Sequence, residues 1–567
     1  MHPNSRRALL RWGAVVAISV GAVLVMLRPT PESLDETLPA NPGDPALIAW
    51  TLTWDVHALV HEPLHPFDAN IFWPNPDTLA YSDNLFALTP ISGPIWAATG
   101  NAILALNITV LALLLLSMLA TYALTRWLTA RSDAAVLAAV AFTFTSYTMA
   151  HLGHPQLLTL GFFPLAFLVL FRALDERRTW LAIAWGAINL AFVLGALYYA
   201  EVWALCSVVV VVGYLIGRRF RPGPGIVRVL FVAGVTSLLA LPALLPYFHL
   251  DQARPLRGDY GLNPEDLVSP APGTLLYTGL ATAADDRGGD RLEHSFFPGF
   301  LVFALAGVGV VALALSFRKR SPTYGPSRRR LFLLLLVVAG VVAAVVAVGP
   351  DFQGQPAPFR VFRRYFPGFE DIRVAARLAV PALLAGAVLA GFGLSVLIRR
   401  LRGSRATWVT AAAVGIVLLE LAITLVRPVL PQNESRIAVY EELAERPDGA
   451  VVELPMADPR QGGTEWAFIE APRMVYATRD WHPRVNGYSG NYPTTYINDV
   501  DIINDFPSRP ARQHLARLDV RFVVLHTGST SGYPQFTPAE AEAIVRQLPS
   551  GIEAEQFGDS WLLDLGD

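Results

Sequence analysis

Cysteine is almost missing from this chain of 567 residues: there is one, Cys206. A single thiol excludes an intrachain disulfide and a thiolate metal cage. Cys206 lies inside an apolar run, so it reads as a small core residue. Lysine is equally scarce, with Lys319 the only one among 44 basic residues. Charge of both signs is thin, at 16% of residues against about 25% in a soluble protein. What fills the chain is apolar: 53% of residues are hydrophobic and the mean hydropathy is +0.41. Apolar runs of about 20 residues recur, which makes this an integral membrane protein. The net charge of −2 is uninformative, because the charge is segregated along the chain; no nucleic-acid partner is expected. There is no internal repeat and no low-complexity tract.

The runs predict about eleven spans. Arg6, Arg7 and Arg11 precede the first, at about 10–27. It resembles a signal peptide, but no small-x-small cleavage site follows, so it reads as an uncleaved span. The others lie near 102–128, 133–151, 155–172, 179–198, 200–217, 225–248, 296–317, 329–349, 374–398 and 406–427. Segment 85–100 is apolar but broken by Pro90, Gly93 and Pro94, and reads as a re-entrant or interfacial helix. Arginine tests this count. With the N-terminus cytoplasmic, the clusters at Arg126/Arg131, Arg172–Arg178, Arg218–Arg221, Arg318–Arg330 and Arg399–Arg405 all fall in cytoplasmic loops. The opposite face then receives segments 29–101, 151–155, 198–201, 249–295 and 350–372 and the C-terminal region. Nearly all the unusual polar residues thus collect outside the membrane.

From about residue 430 the composition changes. VYEELAERPDG reads as a helix, VVELPM, RFVVLH and SWLLDLG as buried strands, and TPAEAEAIVRQL as a helix capped by Thr537. The expected architecture is a polytopic α-helical membrane domain over 1–428, with 29–101 as its first outer loop, and an extracytoplasmic α/β domain over 429–567.

The outer loop from Asn41 to Asn84 holds Asp44, Asp55, Glu62, Asp68, Asp77 and Asp83, and no lysine or arginine. Asp44-Pro45 opens a predicted helix running to about Val60. An acid there caps the helix and suits its dipole, and the same environment keeps it ionised, as a general base requires. Asp83 is a second acid, or the cap of the next helix. Two such carboxylates leave a divalent cation open without requiring one, and no tight acidic cluster is present. Asn70, Trp73 and Tyr81 read as loop packing before sugar contact. His151 and His154 end one span and begin the next; Pro155 breaks the helix there, which argues against a metal pair, and the two read as side chains meeting the interface, with a phosphate or hydroxyl partner as the functional alternative. Glu201 lies at a turn between two apolar runs. Arg360, Arg363, Arg364, Arg373 and Arg377 fall on the outer face, against the positive-inside trend. Arg373 and Arg377 are four residues apart at the start of a span and are expected to share a helical face. Arginine grips phosphate by paired N–H donors; the alternative partners are Glu370, Asp371 or the acidic loop. Loop 249–295 adds Arg254, Arg257, Asp285, Asp286, Arg287, Arg291, Glu293 and His294. In the C-terminal region, RVNGYSGNYPTTY from Arg484 to Tyr496 suits glycan contact or a plain turn.

GDPALIAWTLTW, FDANIFWPNPDTLAYSDN, HLGHPQLLTLGFFPL, HSFFPGFL, DIRVAARLAV and VNGYSGNYPTTY together resemble the GT-C class of membrane glycosyltransferases, and more narrowly the YfhO-like and RgtA/B/C/D-like bacterial proteins. The resemblance covers nearly the whole chain as an order of segments, without one diagnostic motif. It implies a polyprenyl-phosphate-linked sugar donor, a glycan, lipid or protein acceptor, and inversion at the anomeric carbon. Asp44 would be the general base with Asp83 as second acid, and the outer arginines, chiefly Arg373 and Arg377, would hold the leaving phosphate. No cofactor is required. A transporter or lipid flippase is the competing class, but charge is nearly absent from span interiors, where a transport path places it. A non-catalytic envelope assembly protein is the third.

Overall fold

A computed structural model of the chain describes every residue except 1–2, 29–32, 177, 222, 254–259, 281–290, 319–326, 353, 367, 371, 402, 433, 462–464, 528, 531–532 and 567. Lys319, Arg254, Arg257, Asp285, Asp286, Arg287 and Asp371 therefore lie outside the described residues. The chain divides into two units: one comprises 1–30, 110–241 and 258–425, the other 31–109, 242–257 and 426–567.

Helices follow the apolar runs. In chain order they are α1 (Pro3–Met26), α2 (Asp44–His61), α3 (Thr89–Thr99), α4 (Ala102–Thr129), α5 (Ser132–Thr143), α6 (Ser146–Ala150), α7 (Pro155–Leu158), α8 (Phe162–Asp175), α9 (Thr179–Val193), α10 (Leu197–Gly217), α11 (Pro224–Leu244), α12 (Phe300–Arg318), α13 (Ser327–Ala347), α14 (Phe359–Tyr365), α15 (Val380–Leu397) and α16 (Ser404–Leu421). Among the described residues ten helical stretches are long and apolar enough to cross a membrane, and α9 is a shorter apolar helix. The protein is a multi-pass membrane protein. Helix α3 has 11 residues; at 1.5 Å per residue it spans about half of a bilayer core. It is thus too short to cross, as its two prolines and glycine suggest.

In the first unit α15 is apolar all round and almost wholly buried, the pattern of a helix enclosed by others. It packs against α5, α12 and α13. Small residues permit this: a Cβ on Gly393 would collide with the Leu305 carbonyl oxygen on α12, and one on Gly391 with that of Ala134 on α5. Such close approach replaces the hydrophobic drive that helices lack inside lipid. Glu420, near the end of α16, clasps the start of α12. Its two oxygens accept from the Phe300 and Leu301 amides at 3.0 and 3.1 Å and from the Tyr277 hydroxyl at 2.9 Å, satisfying donors that the helix start leaves open.

The second unit is built on a four-stranded sheet, β1 (Ala450–Leu454), β2 (Val520–His526), β3 (Glu553–Phe557) and β4 (Ser560–Asp564), in the order β1-β2-β4-β3. β1 and β2 are parallel, with Val452 opposite Val523; the other pairs are antiparallel. β1, β2 and β4 are the three strands expected from the sequence. β3 reads Glu-Ala-Glu-Gln-Phe on an edge, so its apolar signal is weak. The helix at Pro538–Arg546 carries the expected cap, with Thr537 and Glu540 forming a capping box. Helix α2 belongs to this unit and is buried from Pro45 to Asp55; the helix Glu465–Tyr476 packs along it. Backbone bonds tie the 66–84 segment to the strand-like 484–486 segment: Arg484 to Asn70 at 3.1 Å, Phe72 to Asn486 at 3.1 Å and Trp73 to Arg484 at 2.8 Å. Thus most of the loop after the first span and the C-terminal α/β region share one core.

Candidate functional site

In the second unit Asp44 is the first residue of α2, with Gly43 as cap and Pro45 following. Gly43 fits closely here: a Cβ would press on Ala467 and Phe468 of the packed helix at 3.2 Å. The helix start is therefore pinned, and with it the Asp44 carboxylate. The Tyr488 hydroxyl donates to Asp44 Oδ1. Tyr488 is itself held among aromatic rings, 5.0 Å from Trp466, which lies 5.7 Å from Tyr492. The Asn-, Gly- and Tyr-rich stretch of the C-terminal region and the acid of the first loop thus meet at one point. Tyr488 was visible only as a member of that stretch, because 444 positions separate it from Asp44.

Farther along α2, Asp55 is fully buried. Its Oδ2 accepts from the Leu85 amide at 2.9 Å. Burial drives its carboxyl well above the ordinary range, and the Leu85 hydrogen bond only partly opposes this. Asp83 sits on the turn just before. The hydroxyl of Tyr247 binds both its neighbours, donating to the Ser82 carbonyl at 3.1 Å and accepting from the Asn84 amide at 3.0 Å. Asn70, Trp73 and Tyr81 are loop packing: they bond to Trp50, to the Leu518 carbonyl and to the Asp251 carbonyl.

In the first unit the spans' ends gather a buried charge cluster. The Arg377 guanidinium donates through Nε to Glu293 at 3.0 Å and through Nη2 to its other oxygen. Its face lies 5.3 Å from the centre of the Tyr198 ring. His151 is fully buried; its Nδ1 lies 2.8 Å from the Tyr147 carbonyl and its Nε2 3.4 Å from Glu293. Burial alone would push the Glu293 carboxyl up, but the charges of Arg377 and His151 outweigh it and hold the group well below its usual range. His154 is half-buried, with its ring 5.5 Å from that of His151. Glu201 lies against Gly368, whose φ is +92° and where a Cβ would strike the carboxylate.

Two expectations change here. Arg377 pairs with Glu293, a partner outside the set expected for it. Arg373 and Arg377 do not share a helical face, because Val374 has φ −107° and ψ 78° and the 3₁₀ turn begins only at Ala375. Four-residue spacing aligns side chains only where the α-helix is continuous. Arg373 is half-buried, and among the described residues no carboxylate pairs with its guanidinium. Its carbonyl accepts from the Tyr260 amide at 3.1 Å. Arg360 bonds to the Pro350 carbonyl at 2.9 Å and to Asp351, and Arg363 is exposed on the same short helix, α14. Among the described residues no group of three or more His, Cys, Asp or Glu is arranged to hold a metal ion.

A protein-family model described as a domain of unknown function (DUF6311) matches residues 48–422. No curated protein matches the chain. Among solved structures, the arabinofuranosyltransferase AftD from Mycobacteria superposes with a TM-score of 0.58 at 13% identity, over 98% of this chain and 40% of that one. The oligosaccharyltransferase of Archaeoglobus fulgidus, solved in complex with Zn and sulfate, gives a TM-score of 0.50 at 15% identity, over 90% of this chain and 67% of that one. This chain is thus similar in fold to less than half the length of the mycobacterial enzyme. The fold is that of the GT-C membrane glycosyltransferases.

Proposed function

The chain belongs to the family described as a domain of unknown function (DUF6311), and we propose that it transfers a sugar from a polyprenyl-phosphate-linked donor to an extracytoplasmic acceptor, with inversion. Asp44 takes the proton of the acceptor hydroxyl. The hydroxyl oxygen attacks the anomeric carbon as the bond from that carbon to the phosphate oxygen breaks, and the electron pair leaves with the lipid phosphate. A single displacement inverts the centre. Arg373, with no carboxylate partner among the described residues, is assigned to the departing phosphate, where paired N–H donors stabilise developing charge. Arg360 is held by Asp351 and the Pro350 carbonyl and is not assigned to that anion. In this reading the N-terminus is cytoplasmic and the C-terminal region outside, an orientation supported by the distribution of the arginine clusters.

The observation that carries this reading is the Asp44 carboxylate. It stands on the first residue of a buried helix, with its orientation set by Tyr488. Support comes also from the neighbours in fold, whose names are those of enzymes that transfer arabinofuranose and oligosaccharide. The test uses membranes containing the full chain and a radiolabelled polyprenyl-phosphate sugar. Asp44→Asn is expected to lower transfer by about 100-fold or more, and Arg373→Ala to lower it by a similar factor. Unchanged transfer in both variants would sink the catalytic assignment.

A further inference from the structure

Helix α14 has two unlike faces. Phe359, Phe362 and Phe369 stack behind it, with ring centres 5.9 Å apart for Phe359–Phe369 and 5.4 Å for Phe362–Phe369. Phe359 is fully buried and the helix packs against α13. The rest of the helix is exposed and mixed: Arg363 and Arg364 stand beside Val361 and Tyr365, at 55% and 67% exposure, and Phe366 follows, half open at 51% while its ring stacks on Phe362 at 5.1 Å. Water-facing helices seldom leave two aromatic rings and a valine this open within six residues. The position explains it. Residues 348–374 join the end of one span to the start of the next. Arg360 ties α14 back to that end through the Pro350 carbonyl and Asp351. Arginine and aromatic side chains both gain at the depth of the lipid headgroups.

We propose that α14 is a membrane-surface helix that docks on anionic lipid headgroups, with Val361, Tyr365 and Phe366 entering the interface and Arg363 and Arg364 facing the phosphates. The occupant is the bilayer, not a soluble anion or a second protein. The Arg364 guanidinium already lies 5.4 Å from the centre of the Tyr365 ring, so the charge and the aromatic wedge move as one group.

The test exploits the lone thiol. Cys206 is fully buried, and Cys206→Ala leaves Tyr365→Cys as the single site for an environment-sensitive fluorophore. A second label at the exposed Glu555, in the C-terminal region, serves as control. The full chain is reconstituted in phosphatidylcholine vesicles and in an equal mixture with phosphatidylglycerol, with a headgroup-depth quencher in each. The label at 365 is expected to shift to the blue and to be quenched more strongly when phosphatidylglycerol is present, while the label at 555 is not. Arg363→Gln with Arg364→Gln should weaken that docking by about fivefold per arginine, only in the mixed vesicles. Inorganic phosphate should act no more strongly than chloride at equal ionic strength. A label at 365 that stays in water in both lipids overturns the proposal. So does quenching indifferent to phosphatidylglycerol, or displacement by phosphate beyond the chloride control.

Discussion

Replacing Glu470 with glutamine should stabilise the second unit at neutral pH and scarcely change it in acid. Glu470 lies on the helix packed along α2 and is 2% exposed. It accepts from the Ala457 amide at 2.9 Å, from Asn486 at 3.3 Å and from Arg473 at 3.3 Å. Burial, with a lesser push from the charge of Glu453, outweighs those partners and raises its carboxyl from 4.5 to about 7. Below pH 4.5 folded and unfolded chains are both protonated and the group contributes nothing. Between 4.5 and 7 the unfolded chain releases its proton first, so ionisation increasingly favours unfolding. Above 7 both are ionised and the cost is constant. One unit of pKa is 1.36 kcal/mol, so the penalty is about 1 kcal/mol at pH 5 and about 3 kcal/mol at pH 8. Glutamine keeps an acceptor oxygen for Ala457 and cannot ionise. Amide hydrogen exchange of β1 and β2, compared between variant and parent at each pH, cancels the intrinsic pH dependence of exchange. The variant should be protected less than tenfold more at pH 5 and on the order of 100-fold more at pH 8. A difference flat in pH, or one that shrinks as pH rises, refutes the reasoning.

Three further outcomes follow from the packing. Arg377→Gln strands Glu293 in a buried site and should cost about 3–5 kcal/mol, seen as a lower melting temperature in detergent; Arg373→Gln should leave that temperature unchanged. Glu420→Ala removes the acceptor from the first amides of α12 and should cost about 1–3 kcal/mol, detectable as faster exchange at Phe300 and Leu301. Gly393→Val forces α15 away from Leu305 and should cost at least about 1–3 kcal/mol, with cysteine cross-linking between α12 and α15 losing efficiency.

Buried charge explains why part of this protein was hidden from its sequence. Glu453 on β1 accepts from the Arg484 guanidinium at 2.8 Å and from the Tyr440 hydroxyl at 2.7 Å, and lies 2.7 Å from His526 Nε2. Within VVELPM it reads as one polar letter in a strand. Its partners are 13, 31 and 73 positions away, and no local pattern encodes such a set. Asp55 shows the same limit. As one of six acids in a loop it carried no distinction; it is buried where α2 packs against α3 and the Leu85 amide closes on its carboxyl.

The sequence alone determined the spans, the short α3, the strands β1, β2 and β4, and the capping box at Thr537. Each rests on a local signal: apolar length against bilayer thickness, short apolar runs for buried strands, a threonine before a helix-opening proline. It also singled out Asp44, Glu201 and the arginines as a roster of side chains. Tertiary structure decided their company. Arg377 is committed to Glu293 while Arg373 is not, because a break at Val374 turns the two arginines apart. Asp44 faces Tyr488, because most of the loop after the first span folds into the core of the C-terminal region. Pairing of this kind depends on which surfaces of a distant segment fill the remaining volume, and that is settled only when the whole unit packs.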